Sequence, residues 1–204
     1  IRAVEQPILV EVIGGHYIEE ATGVQVELGD RKLRAVTFHT PGIPLQLFVT
    51  PFTNMAAGFA QFKVNNGTPI SIAISEANSA ITNIVGVDIL ATDPKNITDE
   101  TYSGQSMDDG LRYGFMISTI SAYTAVQSIV NGYEPHENIN YTSIAFHDIA
   151  YRDILNDGQL DGIGKALSSD SEVNLGMGIT NIDQNTYRTA LAREMMKLSS
   201  NKNI

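Results

Sequence analysis

The feature that most constrains the fold is a change of hydrophobic period at Pro51. Before it, apolar and polar residues alternate or β-branched residues cluster, as in strands; after it, apolar residues recur every three or four positions, as in amphipathic helices. Strands followed by helices predict an α+β fold, with a small N-terminal antiparallel β-sheet followed by a bundle of about five helices. The β-rich segment covers residues 1–50 and the helical bundle covers 51–204, and we expect them to form one compact unit.

The predicted helices include one long uncharged stretch, residues 115–133. It is long enough to cross a bilayer, but serine, threonine and glutamine interrupt its apolar run repeatedly. We therefore expect a central helix buried by protein and no transmembrane segment in this chain. The predicted strands cover 7–13, 24–28, 32–40 and 44–50, and the predicted helices cover 53–62, 68–86, about 105–131, about 139–157 and about 181–199.

The composition narrows the possible functions. The chain has 204 residues, of which 43% are hydrophobic, so it can bury a substantial core. A formal net charge of −10 argues against binding nucleic acid through a basic patch. The absence of cysteine excludes disulfides, thiol catalysis and cysteine-based zinc sites. Because the sequence begins at Ile1, we expect a mature or trimmed fragment.

The segment from residue 12 to 28, VIGGHYIEEATGVQVEL, contains a glycine pair that could cradle a phosphate. A phosphate-binding glycine loop leads from a strand into the N-terminus of a helix. This glycine pair leads into another strand, so we predict a strand–loop–strand connection. Glu19, Glu20 and Asp30 bring acidic groups to this end of the sheet, and we interpret them as solvated loop charges.

Histidines offer two candidate reaction centres. His136 and Glu137 begin like the His-Glu-x-x-His helix of zinc proteases, but Asn140 occupies the second histidine position, which argues against zinc. His147 lies in a predicted helix near carboxylates and could act as a general base. However, His147 and Asp148 are adjacent on a helix and point in different directions, so a structural histidine is the favoured interpretation.

The stretch DILNDGQLDG, residues 153–162, resembles a calcium loop. It supplies three carboxylates, Asp153, Asp157 and Asp161, as candidate calcium ligands. An EF-hand requires further oxygen ligands at alternating positions and a bidentate glutamate at its twelfth position, where this chain has Gly164. We therefore favour an ordinary helix C-terminus, with calcium as the alternative and no other cofactor expected.

Several segments together resemble a recurrent module of uncharacterised exported proteins and lipoproteins of Gram-negative bacteria. They are PILVEVIGGHYIEEATGVQVEL, LRAV, VTPFTNMAA, ANSAITNIVGVDILATDP and DILNDGQLDGIG, in an order that spans roughly residues 6 to 165. The module often follows an immunoglobulin-like or carboxypeptidase-regulatory-like β-domain. The resemblance implies an extracytoplasmic location, at the cell surface or secreted, within a larger surface protein. It provides no catalytic residues, and it implies that Gly14, Gly15, Thr22 and Gly23 are turn positions.

These observations support two functional hypotheses. The first is a non-enzymatic surface module for adhesion, ligand binding or assembly of a surface structure such as a filament. Its partner would be a protein or glycan at the cell surface, or copies of the same chain joined by strand addition. The second is an exported hydrolase with a site near His147. The first fits the absence of a legible catalytic constellation.

Overall fold

The computed structural model describes residues 4–99, 101 and 106–160, and they form the predicted α+β fold. Within these ranges four strands come first and four α-helices follow, so Pro51 marks the boundary between them. The predicted helix at about 181–199 lies outside the described residues. The strands are β1 (Gln6–Ile13), β2 (His16–Ile18), β3 (Gln25–Glu27) and β4 (Lys32–His39); the helices are α1 (Pro51–Asn65), α2 (Ile70–Val85), α3 (Asp109–Val130) and α4 (Ser143–Asp157), and a 3-10 turn covers Ile139–Tyr141.

The four strands form one bent hairpin. β1 pairs antiparallel with β4, and the shorter strands β2 and β3 pair with each other at the far end. Two residues, Gly14 and Gly15, join β1 to β2, whereas four residues join β3 to β4, so the two arms do not match and the hairpin bends. Both glycines have positive φ angles, 73° and 82°, which a residue without Cβ adopts at little cost. The glycine pair is therefore a bend between strands, as predicted.

Helix α1 packs against two other helices and one strand. It contacts α2, α4 and β4, and its first turn is fixed by a capping box. In this box the Thr50 side chain accepts a hydrogen bond from the Thr53 backbone, and the Thr53 side chain accepts one from the Thr50 backbone. The main core is built from buried side chains of α1, α2, α3 and α4 and the α2–α3 connection, including Phe52, Met55, Ile81, Ile89, Tyr113, Ile120, Phe146 and Ile154.

The predicted strand at 44–50 is wrong. These residues form neither helix nor strand, although they lead directly into α1. Phe48 donates a backbone hydrogen bond to Leu90, which lies in the α2–α3 connection and not in a strand. Among the described residues no strand pairs with this segment, so its apolar alternation does not reflect a β-ladder.

Helix α3 is buried over most of its length, but its last turn is not. Ile120 is fully buried, as expected for a core helix, whereas Ile129 and Val130 are 59% and 72% exposed. Its hydroxyl residues enter the interior because their side chains bond to carbonyls of the same helix. Ser118 donates to Gly114, and Thr124 donates to Ile120. Polar residues in the uncharged stretch are therefore compatible with burial.

Replacing Gly114 by alanine is expected to destabilise the protein by about 2–3 kcal/mol, in the range measured for overpacked cores. Alanine favours helix over glycine by about 1 kcal/mol at an open position. At Gly114, however, an added methyl group would overlap the backbone carbonyl of Lys95 and press on Ile97. A backbone group cannot move aside as a flexible side chain can. The steric overlap therefore outweighs the gain in helix propensity, and the substitution lowers the stability. Urea unfolding measures the change.

The half-buried Ala122 of α3 provides a control for helix propensity. Ala122→Gly should cost about 1 kcal/mol, because it weakens the helix without creating an overlap. A Gly114→Ala protein more stable than the wild type would show that α3 and the segment around Lys95 are not in close contact.

Candidate functional site

His147 is buried in α4 and is 1% exposed. Among the described residues, neither of its ring nitrogens has a hydrogen-bond partner, and its ring packs edge-on against Phe146. Burial lowers the pKa of His147 to about 3, so the ring is neutral at physiological pH. The neighbouring Asp148 pairs with Arg152 at 2.6 Å and not with the imidazole. Within the described part of the chain, His147 therefore has no hydrogen-bond partner that could exchange a proton with it.

Two of the three candidate calcium ligands, Asp153 and Asp157, lie in the last part of α4. Asp153 is 3% exposed within the protein, while Asp157 is half-buried one turn later and accepts a hydrogen bond from the Gln159 backbone. Gly158 ends the helix, as predicted. Asp161 lies outside the described residues. Within the described part of the chain, no group of three histidine, aspartate or glutamate side chains is placed to hold a metal ion.

Glu19 is fully buried, so the prediction of a solvated loop charge is wrong for this residue. Its carboxylate accepts hydrogen bonds from the Tyr17 hydroxyl at 2.6 Å and from the Ser143 backbone and hydroxyl at 2.7 and 2.5 Å. Three donors replace the water that the carboxylate loses. Tyr17 in turn accepts a hydrogen bond from the Ile144 backbone. The first turn of α4 is thereby fastened to the β2–β3 loop.

The other acidic residues of this end of the sheet differ from Glu19. Asp30 is exposed, in agreement with the prediction, whereas Glu20 is half-buried. Burial raises the pKa of Glu20 to about 7, and the nearby Glu19 carboxylate adds to the effect. Acidic residues next to one another in sequence therefore have different environments.

His136 also contacts the β2–β3 loop, through Thr22. It is 3% exposed, and its Nε2 donates to the Ser121 carbonyl at 3.0 Å, because a carbonyl can only accept. Its Nδ1 then accepts from the Thr22 hydroxyl at 2.7 Å, which satisfies both nitrogens of a neutral ring. Burial lowers the pKa of His136, although Glu19, 3.7 Å away, acts in the opposite direction.

A positive φ of 59° at His136 supports the view that this contact is specified by its surroundings. Together with Glu19, Tyr17, Thr22 and Ser143, His136 forms a buried polar cluster that joins the hairpin to α3 and α4. This cluster could not be predicted from the sequence, since its bonds between the hairpin and the helical part of the chain join residues more than 100 positions apart. Glu19, His136 and Ser143 are buried, Tyr17 is half-buried and Thr22 lies at the exposed rim of the cluster, which provides an anchor for the hairpin.

The opposite end of the hairpin presents the outer edge of β1. Among the described residues, β4 is the only strand paired with β1, so one edge of β1 carries unpaired backbone groups. Leu9, Val12 and Ile13 of this strand are 56%, 41% and 60% exposed. β4 lies on the inner side and packs against α1 and α2. An exposed apolar strand with an open edge can accept another strand.

The only acidic residue within β1 is Glu11, and its charge is balanced locally. Lys32 and Arg34 of β4 pair with its carboxylate at 3.2 and 3.0 Å. These basic partners lower the pKa of Glu11. The edge of the sheet therefore does not present the net negative charge that the chain carries as a whole.

Comparisons with known proteins add no assignment: no protein-family model, curated protein or solved structure matches this sequence. None of the helices in the described part of the chain is long and apolar enough to span a membrane.

Proposed function

We propose that the protein is a non-enzymatic recognition module, at the cell surface or outside the cell, that binds an extended protein segment by strand addition to β1. The observation that carries the proposal is the open edge of β1 with Leu9, Val12 and Ile13 exposed on it. Backbone hydrogen bonds would supply the binding, and the apolar side chains would favour alternating apolar partners. The extracytoplasmic location rests on the resemblance to exported modules.

The way the hairpin is held supports this role. The buried polar cluster fixes the β2–β3 end against α3 and α4, and β4 packs on α1. β1 is therefore presented on a rigid support, which lowers the entropy lost on binding. The alternative of a hydrolase at His147 has no comparable support, because the ring has no described hydrogen-bond partner.

Binding to extended peptides tests the proposal. We expect immobilised eight-residue peptides with alternating apolar and polar residues to bind the protein, and their N-methylated versions to bind much less, since N-methylation removes backbone donors. Ile13→Lys should reduce peptide binding at least tenfold, because an edge lysine opposes strand addition. Ile70→Lys, at a 51% exposed position at the start of α2, is the matched control.

Glycan binding that is unchanged by Ile13→Lys would contradict strand addition and favour a carbohydrate ligand. A hydrolytic activity that His147→Ala abolishes without unfolding the protein would replace the proposal by the enzyme hypothesis. Labelling of intact cells with an antibody against the chain tests the location.

A further inference from the structure

We infer that the strand bound by β1 is β1 of a second copy, so that two chains form a symmetric dimer with a continuous sheet in the order β4–β1–β1–β4. This inference rests on the proposed function and names its partner. Three features of β1 support a second copy as the occupant. The strand can pair antiparallel with itself in an apolar register. The charge of its Glu11 is balanced within the chain, and its Leu9 lies on the helix side of the sheet.

Symmetry requires that two antiparallel β1 strands be related by a two-fold axis perpendicular to the sheet. Each residue then faces a residue of the same face on the other copy. An axis through Leu9 pairs Leu9 with itself, Ile8 with Val10 and Glu11 with Pro7. Every pair at the centre is apolar, and because Pro7 has no N–H, the hydrogen bonding is centred on residues 8–10.

Other registers are less favourable. An axis through Val10 would place Glu11 against Leu9 of the other copy, and an axis through Glu11 would bring two carboxylates together. Like charges directly opposite each other destabilise a strand pair. The axis through Leu9 avoids both arrangements.

The distribution of charge on the chain determines which surfaces of two copies can come into contact. Two chains with a formal net charge of −10 repel each other over most of their surface. At β1, Lys32 and Arg34 neutralise Glu11 within each chain. A second copy can therefore approach this edge with little electrostatic penalty.

The dimer would also bury the exposed leucine. Leu9 lies opposite Val36, which packs against the cluster of Ala60, Ile74 and Ala77 on α1 and α2. Directly paired residues share a face, so Leu9 lies on the helix side of the sheet. The two-fold axis keeps the helices of both copies on that side, and the two Leu9 side chains meet in the valley between them.

The two strands of the sheet differ in exposure, and this difference favours a closed dimer over a filament. A filament would require β1 of one copy to pair with a second, different edge of the next. All residues of β4 are half-buried or fully buried, so β4 does not offer a comparably exposed strand. Pairing of β1 with itself closes the assembly at two chains.

Size-exclusion chromatography with light scattering tests the dimer directly. The wild-type chain should show twice the 22.1 kDa mass of one copy at high concentration and dissociate on dilution. Leu9→Lys and Leu9→Glu should each be monomeric over the same range, because each places like charges at the axis. Mixed in equal amounts, the two variants should form a heterodimer. Thermal melting checks that both variants are folded.

Cross-linking tests the register, because the natural chain contains no cysteine. Leu9→Cys should form an intermolecular disulfide on mild oxidation, since directly paired residues have Cα atoms about 4.5–5.5 Å apart, within disulfide reach. Ile70→Cys, similarly exposed on α2, should remain monomeric. Equal cross-linking of the two variants, or a wild-type chain that is monomeric at all concentrations, overturns the inference.

The outcomes separate this inference from the proposed function. A monomer that still binds extended peptides through β1 retains the recognition module and excludes self-pairing. A monomer that binds no peptide contradicts both. Failure of the Leu9→Lys and Leu9→Glu mixture to associate, although the wild type dimerises, excludes the axis through Leu9.

Discussion

Glu19→Ala should lower the free energy of unfolding by roughly 3–5 kcal/mol, within the range for breaking a buried hydrogen-bond network. The substitution leaves the Tyr17 hydroxyl and both Ser143 donors without their carboxylate acceptor. A buried donor without an acceptor costs about 1–3 kcal/mol, and the contributions are not strictly additive. Urea unfolding at pH 7 measures the loss.

Glu27→Ala is the control on the same hairpin, since Glu27 is exposed on β3. Surface substitutions of this kind usually change stability by less than about 0.5 kcal/mol. The loss of stability for Glu19→Gln should lie between those for Glu19→Ala and Glu27→Ala. The amide keeps one acceptor oxygen, but its NH2 group faces hydrogen-bond donors in place of the second oxygen. Equal losses for Glu19→Ala and Glu27→Ala would contradict the buried position of Glu19.

His147→Leu should make the protein more resistant to acid than the wild type. The folded-state pKa of His147 is depressed by burial to about 3, whereas the unfolded chain has the ordinary value of about 6.5. Below pH 6.5 the unfolded chain binds a proton that the folded chain does not, so stability is present above that pH and is lost as the pH falls. The loss is about 1.4 kcal/mol per pH unit, or about 2.7 kcal/mol at pH 4.5.

Leucine removes this loss, so the stabilities of the two proteins should diverge below pH 6.5. At pH 7 the variant should be at least as stable as the wild type, because it removes two buried nitrogens that lack described partners. Denaturant unfolding from pH 7 to pH 4 measures both effects. His16→Gln, at an exposed position of β2, controls for the loss of one histidine. Parallel curves for wild type and His147→Leu would show that His147 is accessible to protons in the folded protein.

Much of the fold could be predicted because its determinants are local. The change of period at Pro51 follows from the different repeats of strands and helices, and the structure places β4 before it and α1 directly after it. Gly14 and Gly15 were predictable as a bend, since two consecutive positive φ angles favour glycine. The end of α4 at Gly158 was predictable for a similar local reason.

The segment at 44–50 shows where local pattern is insufficient. Its alternation is that of a strand, yet a strand requires a partner at hydrogen-bonding distance. The chain instead places Phe48 beside Leu90 of a connecting segment. Pairing is a property of two segments, so it could not be predicted from one.

The sequence by itself determined the order of the elements, their bends and their ends, because these depend on residues within one or two turns of each other. Only the tertiary structure decided that Glu19 is buried while Asp30 is exposed, since two of the three donors to Glu19 come from Ser143, 124 positions away. It also decided that β1 is the open strand, because β4 is the strand of this described sheet that packs closely on α1 and α2. Local backbone preferences act through neighbours in the chain, whereas desolvation and strand pairing act through neighbours in space.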